Sequence, residues 1–219
     1  MRKSRTILLV AAVLALVGCA QPAKDYSAYK EADPKVILIL PPRNSSPEID
    51  ATFGVYANTQ MPVAESGYYV LPITLVNEHF KSNGLTIADD VHQISHAKLR
   101  EVFGADAALY IHVTDYGARY YVVGSATVVT AEARLVDLRT GTELWTGKAT
   151  ASSEEGNNNQ GGAGLAGLLI TALVKQVVSN VTDQSHTIAK RTTVRLLSAS
   201  APGSLLPGPR SPDYKKTTP

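Results

Sequence analysis

The sequence has few of the residues that most often mark a catalytic or disulfide-bonded domain. Its 219 residues include one cysteine, one tryptophan, two methionines and five histidines. A single cysteine excludes a disulfide within the chain. No uninterrupted apolar run reaches the roughly 20 residues that a helix needs to cross a bilayer. The composition therefore excludes a disulfide scaffold and gives no sign of a bilayer-spanning helix.

The common catalytic motifs are missing too. There is no Gly-x-Ser-x-Gly elbow, and the glycine-rich stretch at 161–164 lacks the Lys-Ser/Thr of a phosphate-binding loop. His92 and His96 have the i, i+4 spacing of a helical metal site. We expect Ser95 to cap a helix that begins between them, which leaves two surface histidines. The sequence thus predicts no enzyme, no cofactor and no metal site, and a hydrolase would need a cluster that it does not supply.

The N-terminus indicates export and lipidation. Three basic residues precede a short apolar run at 7–17, which is typical of a secretory signal peptide. Residues 16–19, Leu-Val-Gly-Cys, resemble the lipobox of bacterial lipoproteins, in which the cysteine thiol carries a diacylglycerol. The alternative is an ordinary signal peptide, but the only cysteine lies where the lipobox needs it. We expect Cys19 to be the lipid attachment site, since several acyl chains anchor a protein stably.

Removal of the signal peptide changes the charge of the chain. The full sequence has 21 basic and 19 acidic residues, and the signal peptide contains three of the basic ones and no acidic one. The remaining chain lacks the basic footprint of a nucleic-acid-binding protein. Ala20 follows the cysteine. In Gram-negative lipoproteins an Asp at that position favours retention in the inner membrane, so the resemblance to a lipobox implies the outer membrane. We therefore expect an outer-membrane, periplasm-facing lipoprotein, with surface display left open.

The length suits one domain. The expected organisation is a signal peptide at 1–18, a lipidated tether at 19–34, a single α/β periplasmic domain at 35–198, and a flexible Pro-rich tail at 199–219. Residues 35–40 form a continuous apolar run that ends at proline, which predicts a central strand covered on both faces.

The rest of the domain alternates helices with strands and then becomes antiparallel. Helices are expected at 52–65, 73–81, 96–103 and 183–198. Residues 105–151 contain three alternating segments, with a hairpin turn at 137–142 and another turn at Gly117 flanked by Tyr116, Tyr120 and Tyr121. The predicted fold is α/β, a mixed sheet with a C-terminal antiparallel three-stranded meander and helices packed against it.

The most apolar helix is expected at 165–181. It can be read as a core helix across the sheet or as a surface for a partner or a second copy, and membrane insertion is the least favoured reading. The candidate partner surface consists of Leu165, Leu168, Leu169, Ala172 and Leu173.

Several segments resemble a known family. They are residues 34–42, 67–70, 99–107, 136–141, 144–145 and 206–210. Together they resemble a family of Gram-negative lipoproteins of unknown function that includes a neisserial surface-antigen lipoprotein. The resemblance implies a fold like the TolB N-terminal domain and the periplasmic domain of the curli-secretion lipoprotein CsgG. It also implies an envelope partner, for which a curli-secretion-like lipoprotein is the candidate. The family has no known catalytic residues, so none carry over.

Two functions follow as hypotheses. The first is a non-enzymatic protein-interaction component of a cell-envelope or secretion-type assembly, whose contacts include a second copy of the chain as an alternative partner. The second is a periplasmic lipoprotein that binds a small ligand or carbohydrate close to Arg43 and Asn44, because open α/β sheets bind ligands beyond the ends of their strands.

Overall fold

The computed structural model describes residues 24–121, 124–155 and 181–216. Its helices are α1 (Ser27–Ala32), α2 (Ala51–Tyr56), α3 (Gln60–Glu65), α4 (Ile73–Ser82), α5 (Ala88–Val91), α6 (His96–Phe103) and α7 (Val181–Leu197). Its strands are β1 (Val36–Ile39), β2 (Arg43–Asn44), β3 (Tyr69–Val70), β4 (Ala107–Tyr121), β5 (Gly124–Asp137) and β6 (Glu143–Ser152).

The strands form one mixed sheet in the order β3-β1-β4-β5-β6, with β2 paired to β4 off this path. β1 is parallel to both of its neighbours, whereas β4, β5 and β6 form an antiparallel meander. The expected fold class is confirmed. β1 is central and buried on both faces, because Ile37, Leu38 and Ile39 are all fully inaccessible to solvent.

Helices cover both faces of the sheet, but not to the same extent. On one face, α2, α3 and α7 bury a large core against β1, β4, β5 and β6. On the other face, α4, α5 and α6 bury a smaller core that reaches only Tyr110 on β4 and Val136 on β5. The far half of the meander is therefore left open on this second face.

Local signals in the sequence place several element ends correctly. The Ser95 side chain accepts a hydrogen bond from the Lys98 amide, and Gly104 closes α6 with a φ of 65°. Gly141 has a φ of 75° in the hairpin between β5 and β6, as a glycine at this position of the turn predicts. The predicted helices at 73–81, 96–103 and 183–198 correspond to α4, α6 and most of α7.

The predicted helix at 52–65 is two helices instead of one. α2 ends at Tyr56 and α3 begins at Gln60, with a turn between them. Pro62 has no amide hydrogen and its ring clashes with the preceding turn of a continuous helix, which explains the break. Thr59 stabilises the turn, since its hydroxyl donates to the Tyr56 carbonyl at 2.7 Å.

The predicted turn at Gly117 is wrong. β4 continues through this residue to Tyr121, and Gly117 pairs with Val128. An irregularity between Val113 and Asp115 shifts the register by one residue, as a β-bulge does. Tyr116 consequently lies in the same core as Val113, although the two residues are an odd number of positions apart.

Two segments expected to lie outside the domain contact it. From the predicted tether, Tyr29 of α1 is buried and its hydroxyl lies 2.7 Å from that of Tyr68. We call residues 199–216 the C-terminal strap, because contrary to the expectation of a free tail they cross the domain surface. Leu205 of the strap is buried, and the Tyr68 hydroxyl donates to the Leu206 carbonyl at 2.6 Å. Main-chain hydrogen bonds and buried apolar contacts thus override a composition that is typical of disorder.

Candidate functional site

A concave site lies on the open half of the sheet's second face. It is a cleft of about 660 Å³ with a floor formed by β4, β5 and β6. Its wall is formed by Arg43, by Asp89 of α5, and by His92 and Gln93, which directly follow that helix. This volume falls within the range of about 300–1,000 Å³ that is usual for small-molecule sites.

Strand register arranges the floor as two rows of three side chains. The first row is Tyr110–Arg134–Thr146, and the second is His112–Glu132–Lys148. Side chains directly opposite each other on neighbouring strands have Cβ atoms about 4.5–5.5 Å apart, so each row acts as one contiguous group.

Most of the charge in the second row is compensated internally. Lys148 Nζ lies 2.8 Å from Glu132 Oε1 in an exposed ion pair. The hydrogen bond from Lys148 and its positive charge lower the pKa of the Glu132 carboxyl. His112 Nε2 is 2.7 Å from the Ser45 hydroxyl. The second row is therefore a hydrogen-bonded and nearly neutral surface.

The first row contains a cation without an acidic partner. The Arg134 guanidinium lies over the Tyr110 ring, with its Cζ atom 4.3 Å from the ring centroid. Within residues 24–121, 124–155 and 181–216, no carboxylate pairs with Arg134 and no acceptor takes a hydrogen bond from its guanidinium. Arg134 is exposed, whereas Tyr110 beneath it is 3% exposed.

Tyr110 also has an unsatisfied hydroxyl. This oxygen is buried, and none of the described residues forms a hydrogen bond with it. Burial raises the pKa of the Tyr110 phenol, and the Arg134 charge opposes that shift. Buried polar atoms are nearly always hydrogen-bonded in native proteins, so this hydroxyl is an exception that calls for a physical reason.

The wall of the cleft is held by a neutral histidine and an ion pair. The His92 Nε2–H donates to the Pro41 carbonyl at 2.9 Å, which leaves Nδ1 as an acceptor. Burial lowers the pKa of His92 to about 4, and the charges of Arg43 and Arg134 add to that effect. Arg43 forms an ion pair with Asp89. At neutral pH this wall therefore carries no net charge.

The structure separates the two residues predicted for a ligand site. Arg43 lines the cleft, but Asn44 does not. Asn44 Nδ2 donates to the Glu48 carbonyl at 2.8 Å, and Asn44 Oδ1 accepts from the Ser46 amide at 2.8 Å. The Asn44 side chain thus stabilises the loop after β2.

Cys19 and the predicted partner surface lie outside the described residues; that surface is Leu165, Leu168, Leu169, Ala172 and Leu173.

The cleft is lined by groups of both charges. They are two guanidiniums, an ammonium, two carboxylates and two imidazoles, beside an amide, hydroxyl groups and a tyrosine ring, and they supply hydrogen bonds, charge and stacking. Across the part of the chain that the structure describes, no three His, Cys, Asp or Glu side chains come together as metal ligands.

A second, smaller cavity of about 280 Å³ lies between α1 and the C-terminal strap. The Tyr214 hydroxyl donates to Asp33 Oδ1 at 2.6 Å, and Lys215 Nζ lies 3.2 Å from Asp33 Oδ2. Burial alone would raise the pKa of the Asp33 carboxyl, but the hydrogen bonds from Tyr214 and Lys215 outweigh it and lower the pKa. The contacts around this cavity fasten the two ends of the domain together.

Comparison with known proteins identifies the family. The model of the GNA1162-like lipoprotein family matches residues 24–210. The chain is 47% identical over 207 residues to a lipoprotein of Neisseria meningitidis serogroup B, covering 93% of this chain and 95% of that protein. The chain belongs to the GNA1162-like lipoprotein family. The resemblance inferred from the sequence is therefore confirmed.

A solved structure supports the same assignment. The crystal structure of the lipoprotein GNA1162 from Neisseria meningitidis is 46% identical, covers 66% of this chain and 98% of its own, and superposes with a TM-score of 0.52. A PelC dodecamer structure from Paraburkholderia phytofirmans is 11% identical, covers 73% of this chain and 86% of its own, and has a TM-score of 0.43. The second likeness is too low to support a functional argument.

No helix in the described ranges is both long and apolar enough to cross a membrane.

Sequence reasoning missed Tyr110, Arg134 and Lys148. All three lie within the alternating segments predicted at 105–151, but nothing in that pattern marks them as site residues. The available signal was that three consecutive strands all place chemically active side chains on one face. Placing them side by side requires the register of both hairpins, which alternation alone does not give.

Proposed function

We propose that the protein is an outer-membrane lipoprotein, anchored through Cys19, that acts as a non-enzymatic protein-interaction component of a cell-envelope assembly. Membership of a lipoprotein family and a lone cysteine at a lipobox support the anchor. Its partner is another envelope protein, with a curli-secretion-like lipoprotein as the candidate, or a second copy of the chain.

The observation that carries this proposal is the open cleft on the meander. Antiparallel sheets often leave one face in water, but such a face usually carries simple polar residues. Here the face combines an unpaired arginine stacked on a tyrosine with exposed Thr146 and Lys148 beside it. Arginine and tyrosine are enriched at the centres of protein interfaces, where they contribute most of the binding energy.

Site-specific photocrosslinking in cells tests the proposal. The full-length, lipidated protein carries a photoreactive amino acid at Thr146 in the first row, and a matched control carries it at Lys98 on the exposed side of α6. Irradiation, followed by purification from outer-membrane fractions, is expected to give one discrete protein adduct from position 146 and none from 98. No adduct at 146, or the same adducts at both positions, would contradict a partner surface here.

A second function is favoured by the shape of the same cleft. Its volume of about 660 Å³ suits a small ligand, and Arg43 lines it where the sequence placed a ligand site. In this candidate function the protein is a periplasm-facing lipoprotein that binds a small molecule or sugar. Photocrosslinking from Thr146 would then capture no protein, and binding would be measured directly with small probes.

A further inference from the structure

The cations of the cleft differ in whether they have a partner. Arg43 is paired with Asp89, and Lys148 with Glu132. Arg134 is paired with no acid in the described chain, although its strand β5 lies between β2, which carries Arg43, and β6, which carries Lys148. The described cleft therefore has a net positive charge that is centred on one guanidinium.

The stacking of Arg134 leaves its hydrogen-bond donors available. Contact with the face of Tyr110, at 4.3 Å, holds the guanidinium by cation–π attraction and uses none of its N–H groups. A guanidinium fixed in this way presents two parallel N–H donors in its plane, which is the geometry that a carboxylate accepts in a bidentate pair. Thr146, the next residue in the row, adds an exposed hydroxyl.

The floor beneath Arg134 supplies a second, independent observation. Tyr110 lines the cleft and is 3% exposed, yet no described residue hydrogen-bonds to its hydroxyl. Several other polar groups of the floor and wall are engaged, as in the 2.8 Å pair of Lys148 with Glu132 and the 2.9 Å contact of His92 with Pro41. Unsatisfied hydrogen-bonding capacity is thus concentrated at the Tyr110–Arg134 pair.

The charge balance selects the class of ligand. One unpaired guanidinium compensates a single negative charge, which fits a carboxylate better than a phosphate dianion. Glu132 lies one row away and would repel a second negative group, although Lys148 shields it in part. A ligand of this kind would place one carboxylate on Arg134 and its uncharged remainder along the strands.

We propose that this cleft binds the carboxylate group of a small ligand, with Arg134 as its bidentate anchor and Tyr110 as the platform that holds the arginine. The proposal rests on the second candidate function, the small-ligand site. The carboxylate has two candidate chemical sources, an acylated amino acid and a sugar acid.

Saturation-transfer difference NMR on the full-length protein in detergent tests this with two matched pairs of probes. N-acetylalanine is compared with its neutral amide, and galacturonate with galactose. We expect the carboxylate of at least one pair to receive saturation and its neutral counterpart to receive much less. The pair that responds identifies the source.

Substitutions then locate the contact. Arg134→Gln removes both the positive charge and the two parallel N–H donors of the guanidinium. Arg134→Lys keeps the charge but loses the bidentate geometry. We expect about a tenfold or greater loss of affinity in Arg134→Gln, because the variant loses both the charge and the bidentate hydrogen bonds. We also expect a clear loss in Arg134→Lys, because an ammonium cannot form the bidentate pair. The control Lys98→Gln lies on α6, away from the cleft, and should bind as the wild type does.

Three results would overturn the proposal. They are no saturation of either carboxylate, equal saturation of acid and neutral probes, and unchanged binding in Arg134→Gln. Arg134 is exposed, so each variant should keep the wild-type thermal transition. If Arg134→Gln loses that transition, the affinity of Arg134→Lys for the carboxylate probe still tests the proposal. A protein adduct from position 146 without carboxylate binding would overturn this proposal and leave the interaction function standing.

Discussion

Gly208 offers a stringent test of whether the C-terminal strap packs as described. Its backbone lies directly on that of Gly67, with which it forms a glycine–glycine contact. A Cβ atom added at Gly208 would lie 2.7 Å from both the carbonyl carbon and the oxygen of Gly67, and 2.9 Å from Tyr68 Cδ1. Two of these neighbours are backbone atoms, so no side-chain rotation relieves the overlap. Gly208→Ala therefore forces the strap away from the domain.

The expected loss of stability follows from what the displacement breaks. The Gly208 amide donates to the Ser66 carbonyl at 2.8 Å, and the Arg210 amide donates to the Gly67 carbonyl at 2.9 Å. Overpacking costs about 1–3 kcal/mol, and each lost hydrogen bond adds about 1 kcal/mol. We expect Gly208→Ala to lower the free energy of unfolding by about 3–5 kcal/mol, since both hydrogen bonds are lost. For a domain of this size that corresponds to a fall in Tm of about 6–20 °C.

Gly203→Ala in the same strap is the matched control. Gly203 has a φ of 81° but no atom within 4 Å of an added Cβ. This variant introduces backbone strain of about 1 kcal/mol without any steric overlap. Comparison of the two variants therefore separates the glycine–glycine contact from the general effect of replacing a glycine in the strap.

Circular dichroism melting and limited trypsin digestion of the full-length protein in detergent measure the effect. Trypsin cleaves after Arg210, whose amide is tied to Gly67 in the packed strap. We expect faster cleavage at this site and a lower Tm in Gly208→Ala, with a much smaller change in Gly203→Ala. Equal cleavage and equal Tm in Gly208→Ala and the wild type would refute the packed strap and favour the free tail expected from composition.

Four further predictions concern the cleft wall, the hairpin, the anchor and the apolar segment. The pKa of His92 is lowered from 6.5 to about 4. As the pH falls, His92 is therefore protonated in the unfolded chain before it is protonated in the folded protein. Its contribution to the free energy of unfolding is fully present above pH 6.5 and is lost as the pH falls towards 4. In denaturant titrations the free energy of unfolding of His92→Gln should fall by about 1–2 kcal/mol less than that of the wild type over this pH range, after allowance for the partial exposure of His92. Asp137→Ala should destabilise by about 1–3 kcal/mol in thermal melts, since its carboxylate accepts the Arg139 amide at 2.9 Å and the Thr140 hydroxyl at 3.1 Å. Cys19→Ala should abolish palmitate labelling and membrane retention, and retained labelling would contradict the anchor. Glutamate at both Leu169 and Leu173 should abolish in-cell crosslinks of a folded protein if that segment is a partner surface, whereas an unfolded variant would indicate a core helix.

The sequence predicts the fold best where a single local signal decides the structure. The apolar run before Pro41 gives β1, and Gly141 gives the hairpin between β5 and β6. Prediction is wrong where one residue changes the pattern. The irregularity between Val113 and Asp115 inverts the alternation of β4, so the segment around Gly117 reads as a turn although it is a strand.

The strap and the cleft were beyond sequence reasoning for a different reason. Both depend on contacts between distant parts of the chain. Gly67 and Gly208 touch through their backbones, which no composition rule encodes, and Tyr110 meets Arg134 only in the register of the β4–β5 hairpin. A segment rich in proline and serine therefore predicted disorder, and alternating polar residues predicted a simple solvated face.

The start of the described chain links the proposed anchor to the cleft. Lys24 Nζ donates a hydrogen bond to the Thr146 carbonyl on the edge strand β6 and lies 4.9 Å from the centre of the Trp145 ring. Thr146 is also in the first row of the cleft. Five residue steps separate Cys19 from Lys24, and a fully extended chain of that length spans at most about 17 Å. If Cys19 carries the lipid, the backbone of Lys24 lies within about that distance of the bilayer surface, and the β6 edge of the cleft is one lysine side chain further away. A ligand or partner must then approach within the layer next to the membrane, which favours one that is itself confined to the envelope.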